Sequence, residues 1–329
     1  MLLAYIFLIL LAHPFCVIPT NTTTSNDNKN IVILAGQSNM SGRGGVVNNI
    51  FDWYIPPECQ SNSSILRLTK GLSWEVATEP IHQDIDYYAV CGIGPGMSFA
   101  NSILKNDPNI GVIGLVPCAI GSTNISLWSQ GSFYYNQMVS RTRIALQGGG
   151  TLRALLWYQG ESDTLNLEDA NLYKSRLEKF FTDARNDLGA PSLPIIQVAL
   201  ATTLGPYMKE IRNAQLGIHL PNVKTVDANR LKVGPDYVHL STQAEVQLGQ
   251  MLAQAFLEFG SYTIYNSLEK EIRQAQLGIH LHNVKTVDAN GLKVGPDYVP
   301  LNTQAEVQLG QMLAHTFFEF GSDTIFWFL

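Results

Sequence analysis

A serine that follows an apolar run is the first residue that could carry out catalysis. Ser38 lies in the sequence Ala-Gly-Gln-Ser-Asn-Met (residues 35–40), just after the apolar residues 31–34. In a turn from strand to helix, such a hydroxyl can act as a nucleophile while backbone amides stabilise an oxyanion. The alternative is that Ser38 only caps the helix that follows, because serine is a common N-cap residue.

A histidine close to an acidic residue is the second candidate. Asp236 and His239 are separated by Tyr237 and Val238, and a helical pattern begins at residue 242. A carboxylate at this spacing can orient the imidazole ring and stabilise its charged form, while the other ring nitrogen removes a proton from a hydroxyl. The alternative is a polar turn that carries a surface histidine.

Two more polar segments follow apolar runs. Residues 157–163 (Trp-Tyr-Gln-Gly-Glu-Ser-Asp) contain Gln159, whose side-chain amide could donate to an oxyanion. The same segment contains Glu161, which either supports the site or caps the next helix. Residues 118–123 (Cys-Ala-Ile-Gly-Ser-Thr) contain Gly121, where a backbone amide can approach a ligand closely.

The surrounding pattern predicts the fold that would position these motifs. Five short runs rich in Val, Ile and Leu have the composition of strands buried on both faces: residues 31–34, 112–116, 152–157, 195–200 and 223–226. Helical patterns alternate with them: residues 98–105, 134–146, 168–188, 209–216 and 242–259. This alternation predicts an α/β fold, with helices covering both faces of a parallel sheet. Each motif follows a predicted strand, so we expect the motifs to meet at one edge of the sheet.

Residues 46–94 interrupt the alternation. They are rich in Pro, Asn, Ser and Trp. We interpret them as a long insertion after the first strand, of the kind that shapes a binding site.

A tandem repeat occupies the C-terminal part of the chain. Residues 209–264 and 270–325 are identical at 47 of 56 positions, with a constant offset of 61. Each copy predicts a helix, a strand and a helix, which a sheet of this type needs once, at its last strand. His239 corresponds to Pro300 in the second copy, and proline cannot accept a proton. We therefore expect residues 265–329 to be a degenerate duplicate, either an extra edge unit or a poorly packed appendage.

The N-terminus indicates export. Residues 1–19 resemble a signal peptide, because their apolar run is too short to cross a bilayer and a polar stretch follows it. Glycosylation sequons at Asn21, Asn62 and Asn124 agree with export. We expect a secreted glycoprotein without an integral membrane domain beyond this signal.

The cysteines and histidines do not indicate a metal centre. Cys59 and Cys91 lie in loop-like sequence and are candidates for a disulfide in an oxidising compartment, whereas Cys118 ends an apolar run and suits a buried thiol. No Cys or His residues have zinc-site spacing. His82, which precedes two nearby aspartates, fits a structural or substrate-loop role better than a metal site.

Composition excludes two classes of protein. The 329 residues are 46% apolar and only 15% charged, which is not the composition of a disordered chain. A net charge of −6 gives no electrostatic footprint for nucleic acid.

The motifs together resemble a known family. Five segments are similar to the plant carbohydrate esterases of the sialate O-acetylesterase (SASA) domain group, in the SGNH/GDSL hydrolase superfamily: GQSNM (36–40), GPGMSFAN (94–101), GLVPCAIG (114–121), WYQGESD (157–163) and DYVHL (236–240). The resemblance covers about residues 31–260. It implies a three-layer α/β/α, flavodoxin-like sandwich and a serine esterase that acts on acetylated carbohydrate without a metal or other cofactor.

The resemblance also implies roles for individual residues. Ser38 is the nucleophile, His239 the general base and Asp236 the residue that orients it. The backbone amides of Ser38 and Gly121 and the Gln159 side chain are the oxyanion donors. From its place in the 157–163 segment, and not from the resemblance, we also assign Glu161 to the substrate-binding part of the site. The family commonly has a glycine where this chain has Ser122, so the sequence leaves open which amide of the 121–122 segment faces the oxyanion.

These observations predict a secreted serine esterase that removes O-acetyl groups from a carbohydrate. Its domains are a signal peptide (1–19), an esterase domain (28–264) and the duplicate (265–329). The expected partner is an acetylated carbohydrate and not a nucleic acid; the oligomeric state is not predicted. The alternative is a catalytically impaired, carbohydrate-binding remnant of the same family, in which the surplus repeat displaces the last strand and separates His239 from Ser38.

Overall fold

The computed structural model describes residues 29–202, 205–278, 286–289, 292 and 303–319. These ranges contain the strands β1 (Lys29–Gly36), β2 (Val46–Val47), β3 (Ile50–Phe51), β4 (Ile65–Leu68), β5 (Trp74–Val76), β6 (Ile113–Pro117), β7 (Gly150–Tyr158), β8 (Ile195–Ala199) and β9 (Val223–Asp227). They also contain the α-helices α1 (Ser38–Ser41), α2 (Pro95–Asn106), α3 (Phe133–Gln147), α4 (Leu167–Asp187), α5 (Met208–Leu216), α6 (Thr242–Leu277) and α7 (Thr303–Glu319).

A seven-stranded sheet forms the centre of the fold, in the order β5-β4-β6-β1-β7-β8-β9. All neighbours are parallel except β4 and β5, which form an antiparallel edge pair. Strand β1 lies near the middle and is buried along almost its whole length. The carboxyl ends of β1, β6 and β7 therefore lie side by side at one edge of the sheet.

Helices cover both faces of this sheet. Leu34 and Ala35 are neighbours on β1, so their side chains point to opposite faces. On the Leu34 face, α2 packs so closely that a side chain at Gly96 would clash with Leu34. On the other face, Trp157, the register partner of Ala35, stacks on Phe180 of α4 with ring centroids 4.4 Å apart. The prediction of a parallel α/β fold with two helical layers is thus confirmed.

The interpretation of residues 46–94 as one loop was wrong. This stretch contains β4, which pairs in parallel with β6, and the edge strand β5, as well as the small hairpin β2–β3. The sequence pattern did not predict β4 as a buried strand, because Arg67 interrupts its apolar run. The Arg67 guanidinium is nevertheless buried, where it donates to Glu75 and Asp84.

The proposed disulfide is also absent. Cys59 and Cys91 are both buried free thiols, as is Cys118. Burial raises the pKa of Cys91 to about 12 and that of Cys118 to about 11, so both are protonated and unreactive near neutral pH.

The chain divides into two compact units, residues 1–255 and 256–329. The first contains the whole sheet, including β9 of the first repeat copy. The second contains α7, whose sequence is nearly identical to that of the start of α6. The predicted signal peptide (1–19) and Pro300 lie outside the described residues. None of the helices in the described ranges combines the length and apolar character needed to cross a bilayer.

Equivalent glycines of the two copies provide a test of which copy packs on the core. A Cβ at Gly249 would lie 1.8 Å from Ser98 Oγ and 2.4 Å from the Pro95 carbonyl oxygen, both on α2, whereas a Cβ at Gly310 would meet no described residue within 4 Å. We expect Gly249→Ala to lower the free energy of unfolding by about 1–3 kcal/mol, as overpacking does. Gly310→Ala should leave it unchanged or raise it by up to about 1 kcal/mol, because alanine is the better helix former.

Urea denaturation of both variants, followed by circular dichroism, measures the difference. Equal losses of stability in the two variants would contradict the assignment of the first copy to the core.

Candidate active site

The turn that carries Ser38 is fixed by close backbone contact. Gly36 ends β1 with φ 128°, and any Cβ there would lie 2.1 Å from the carbonyl oxygen of Tyr158 on β7. The next residue, Gln37, donates its backbone amide to the same oxygen at 2.8 Å. Ser38 then begins the one-turn helix α1 at the carboxyl edge of the sheet. Only glycine fits at position 36, and this fit sets where the Ser38 hydroxyl points.

The Ser38 hydroxyl meets the predicted histidine. Ser38 Oγ lies 2.9 Å from His239 Nε2, and His239 Nδ1 lies 2.6 Å from Asp236 Oδ2. The other carboxylate oxygen, Asp236 Oδ1, accepts the backbone amides of Val238 and His239, each at 3.0 Å. Partial burial would raise the pKa of Asp236, but these backbone bonds and the contact with the ring outweigh it, so the pKa is below its usual value.

Asn39 connects the turn that carries Ser38 (the serine turn) to the loop that carries His239 (the histidine loop). Its side-chain oxygen accepts the amide of Leu240 at 2.9 Å, and its side-chain nitrogen donates to the carbonyl of Val238 at 3.2 Å. These are the residues on either side of His239. Asn39 is fully buried. Through this one side chain, the position of the imidazole is tied to the residue that follows the serine.

Glu161 supports Asn39 from the segment after β7. Its Oε1 accepts from Asn39 Nδ2 at 2.5 Å, whereas its buried Oε2 has no hydrogen-bond partner among the described residues. Burial raises the pKa of Glu161 to about 7. The structure therefore brings Glu161 to the edge of the site, in contact with the residue that positions the histidine loop.

The amide of Gly121 is already occupied. It donates to Asp86 Oδ2 at 3.0 Å, and the same oxygen accepts from Arg43 at 2.5 Å and from Ser41 at 2.7 Å. The predicted oxyanion role of Gly121 therefore does not fit this arrangement. Its neighbour Ser122 has φ 59° and lines the same cavity as Ser38, which favours the other amide that the sequence left open.

Gln159 does not reach the cavity either. Its side chain is fully buried, and its nitrogen donates to the Thr123 carbonyl at 2.9 Å and to Asp163 Oδ2 at 2.5 Å. The hydroxyl of Tyr173 lies 3.1 Å from its side-chain oxygen. These bonds hold the end of β7 against the 118–123 loop. Because the side-chain nitrogen of Gln159 already has acceptors, its predicted role as an oxyanion donor does not fit this arrangement. The sequence could not distinguish the two roles, because both require an amide at this position.

Sequence reasoning also missed the contribution of Arg43 and Asp86. Both are buried, and together they hold the serine turn against the loop that contains Gly121. His82, four residues before Asp86, is buried and burial lowers its pKa to about 3, so it is neutral. Across the part of the chain that the structure describes, no three His, Cys, Asp or Glu side chains group as a metal site.

A small cavity of about 180 Å³ opens over the serine. Ser38, Ser122, Glu161 and His239 line it, together with Ser162. The Ser38 hydroxyl and the His239 imidazole thus face one space, and within the described residues the backbone amides of Ser38 and Ser122 have no acceptor. This arrangement can attack an ester carbonyl and stabilise the charge that develops on its oxygen.

Comparisons with known proteins agree on one group. A family model described as carbohydrate esterase, sialic acid-specific acetylesterase, matches residues 28–258 and 261–319. A probable carbohydrate esterase of Arabidopsis thaliana is 52% identical over 234 residues, 69% of this chain and 90% of that protein. An X-ray structure of an Arabidopsis thaliana protein is 50% identical with a TM-score of 0.69, covering 70% of this chain and 98% of that one. The crystal structure of NanS shares the fold at 18% identity, with a TM-score of 0.59 over 72% of this chain and 98% of that one.

The raised pKa of Glu161 predicts how one substitution changes stability with pH. An acid whose pKa is higher in the folded protein stabilises the fold below its ordinary pKa of 4.5, and this stability is lost as the pH rises towards 7. A glutamine side chain does not ionise in this range, so Glu161→Gln removes the effect. We therefore expect the melting temperature of Glu161→Gln, relative to the native protein, to increase steadily between pH 4.5 and 7.

Thermal denaturation at half-unit pH steps measures this difference. Glu58→Gln, at an exposed carboxylate, is measured in parallel as the control for the change of residue type. A flat difference for Glu161→Gln would contradict the prediction.

Proposed function

Since the chain belongs to the carbohydrate esterase family of sialic acid-specific acetylesterases, we propose that it hydrolyses O-acetyl esters of carbohydrate through an acetyl-enzyme formed on Ser38. The observation that carries the proposal is the contact of 2.9 Å between Ser38 Oγ and His239 Nε2, with Asp236 on the far ring nitrogen. Family membership supports an esterase acting on carbohydrate, and this contact supports serine as its nucleophile.

The first half of the reaction transfers the acetyl group to the enzyme. Ser38 Oγ attacks the carbonyl carbon of the ester while His239 Nε2 takes the hydroxyl proton. Asp236 stabilises the resulting imidazolium. When the tetrahedral intermediate collapses, the bond between the carbonyl carbon and the sugar oxygen breaks. The proton on Nε2 moves to that oxygen, so the sugar leaves as a neutral alcohol.

Backbone amides would hold the oxyanion in this step. The amides of Ser38 and Ser122 have no acceptor among the described residues, and both residues line the cavity. Each such donor typically contributes about 3–4 kcal/mol to the transition state. The bonds from Arg43 and Gly121 to Asp86 support this assignment, because they keep the loop that carries Ser122 against the serine turn.

The second half of the reaction returns the enzyme to its starting state. A water molecule takes the place of the sugar, and His239 removes its proton as the oxygen attacks the acetyl carbonyl. Collapse of this second intermediate breaks the bond to Ser38 Oγ, which recovers its proton from Nε2. Acetate is released. No metal or other cofactor enters any of these steps.

The alternative of an impaired carbohydrate-binding remnant requires that His239 is held away from Ser38. The pairing of β9 with β8 and the two bonds from Asn39 to the residues flanking His239 favour the active enzyme instead. Secretion and glycosylation remain predictions from the sequence.

Loss of the Ser38 hydroxyl tests the proposed nucleophile. Ser38→Ala should lower kcat for p-nitrophenyl acetate by roughly 10⁴-fold or more, because removing the nucleophile disables the triad as a unit. The native enzyme should be labelled at Ser38 by a fluorophosphonate, detected by mass spectrometry. Ser162→Ala, which removes another hydroxyl of the same cavity, is the control and should keep both properties. Retained hydrolysis in Ser38→Ala would exclude the serine mechanism.

The repeat allows a second test, which determines whether the first or the second copy supplies the base. We expect His239→Ala to be inactive, and the double variant His239→Ala/Pro300→His to be inactive as well, because the first copy forms β9 and places residue 239 beside Ser38. Pro300→His alone should hydrolyse p-nitrophenyl acetate at the native rate. Recovery of activity in the double variant would show that the second copy can take the place of the first in the sheet.

A further inference from the structure

A second cavity lies beside the catalytic one at the same edge of the sheet. It has a volume of about 450 Å³. Lys70 and Leu72, which follow β4, form one wall, and Cys118 and Ile120, which follow β6, form another. Strand β6 is the neighbour of β1, whose end carries Ser38. Both cavities therefore open at the carboxyl edge of the sheet, over adjacent strands.

One loop borders both cavities, and a second segment anchors that loop. In the loop after β6, Ile120 lines the larger cavity and Ser122 lines the catalytic one. In the segment before α2, Ile85 and Tyr87 line the larger cavity, while Asp86 between them holds the Gly121 amide. A ligand that spans both cavities would thus pass over a single, well-anchored loop.

The catalytic cavity is too small for a sugar chain. Pockets that enclose small organic ligands usually have volumes of about 300–1,000 Å³. At about 180 Å³, the space over Ser38 suits an acetyl group and part of the sugar that carries it. The rest of a carbohydrate must bind elsewhere on the surface, and the larger cavity has the volume to hold a sugar ring.

Exposed aromatic rings give this cavity the chemistry for sugar binding. Tyr88 is 69% exposed and Phe133 68%, and both line it. The rings of Tyr87 and Tyr88 pack together with their centroids 4.3 Å apart. The Lys70 ammonium lies 4.7 Å from the centroid of the Tyr87 ring, in a cation–π contact. Clusters of exposed aromatic side chains usually mark a binding surface. The C–H face of a pyranose is apolar and packs against such rings.

Polar groups complete the lining. Gln137 and Ser140 project from α3 into the cavity, and within the described residues their side chains have no hydrogen-bond partner. They can bond sugar hydroxyls while the rings cover the C–H face. A third cavity, of about 450 Å³, borders Asp236 and His239, but among the described residues no Phe, Tyr or Trp side chain lines it. Ring stacking therefore favours the cavity beside Tyr88.

We propose that the cavity lined by Tyr88 and Phe133 is a subsite that binds a pyranose unit of the acetylated glycan, while another unit presents its ester to Ser38. This inference rests on the proposed esterase function and adds to it that the substrate is an oligosaccharide or polysaccharide. A single acetylated sugar would leave the subsite empty.

Two kinds of substrate separate the subsite from the catalytic centre. The variants Tyr88→Ala and Phe133→Ala are assayed with p-nitrophenyl acetate and with chemically acetylated pentasaccharides of glucose, xylose and galactose. With the pentasaccharide that the native enzyme hydrolyses best, kcat/KM should fall about tenfold, mainly through KM, as the loss of one ring contact predicts. With p-nitrophenyl acetate it should not change. Tyr88→Phe should behave as the native enzyme, because it keeps the ring.

Matched controls make the result specific. Tyr54→Ala removes a ring that is 60% exposed but lines neither cavity, and Val47→Ala alters the third cavity. Both should leave pentasaccharide hydrolysis unchanged. The proposal would be overturned if Tyr88→Ala and Phe133→Ala acted like Tyr54→Ala, if they lowered activity equally with both substrates, or if Val47→Ala alone weakened pentasaccharide hydrolysis.

A binding measurement distinguishes failure of the subsite from failure of the esterase mechanism. Titration calorimetry with the unacetylated pentasaccharides needs no catalysis and is made with the Ser38→Ala chain, with and without Tyr88→Ala. Weaker binding in the double variant supports the subsite even if the native chain hydrolyses nothing. Equal binding, or none of the three sugars binding, contradicts it.

Discussion

The whole site depends on one contact between distant parts of the chain. Ser38 Oγ and His239 Nε2 are 2.9 Å apart although 201 residues separate them in sequence. Strand β9, which leads to His239, is the third strand from β1, about 14 Å away at the usual strand spacing. The chain must therefore return along the carboxyl edge of the sheet before α6 begins. Asn39 fixes the end of that return by bonding the residues on both sides of His239. A shift of this loop would separate the His239 imidazole from the Ser38 hydroxyl without disturbing the sheet.

Buried charges keep the rest of the edge rigid. Asp86 has no exposed surface and accepts from Ser41, Arg43 and the Gly121 amide through one oxygen. Such groups cost free energy when they leave water, and the cost is offset only where the bonds are made. Glu161 Oε2 has no hydrogen-bond partner among the described residues, and burial raises the pKa of Glu161 to about 7. The buried groups therefore lower the stability of the protein but hold the turn that carries Ser38 and the loop that carries Gly121 in one arrangement. Stabilisation of a transition state by preorganised donors requires such a fixed arrangement.

The two copies of the repeat show that the surroundings of a segment, and not its sequence alone, decide which of its side chains are buried. Val246 and Val307 occupy the same position of nearly identical segments, yet the first is 1% exposed and the second 57%. Leu252 and Leu313 differ in the same way. Both segments are helical, because local propensity is the same in each. The helix of the first copy follows β9, which pairs with β8 in the sheet, and its apolar side chains are buried against the core.

The sequence by itself determined the local elements and the chemical types at the site. Runs of Val, Ile and Leu located β1, β6, β7, β8 and β9, and the motifs around Ser38 and His239 supplied the hydroxyl and the imidazole that meet in the structure. It missed β4, since Arg67 breaks the run, and it assigned free amides to Gly121 and Gln159. Only the tertiary structure decided those points. Whether an arginine is buried with partners, or an amide already has an acceptor, depends on groups such as Asp84, Asp86 and the Thr123 carbonyl that other segments bring within 3 Å. Hydrogen bonds form only at such short distances, and the spacing of residues along the chain does not show which distant groups will come that close.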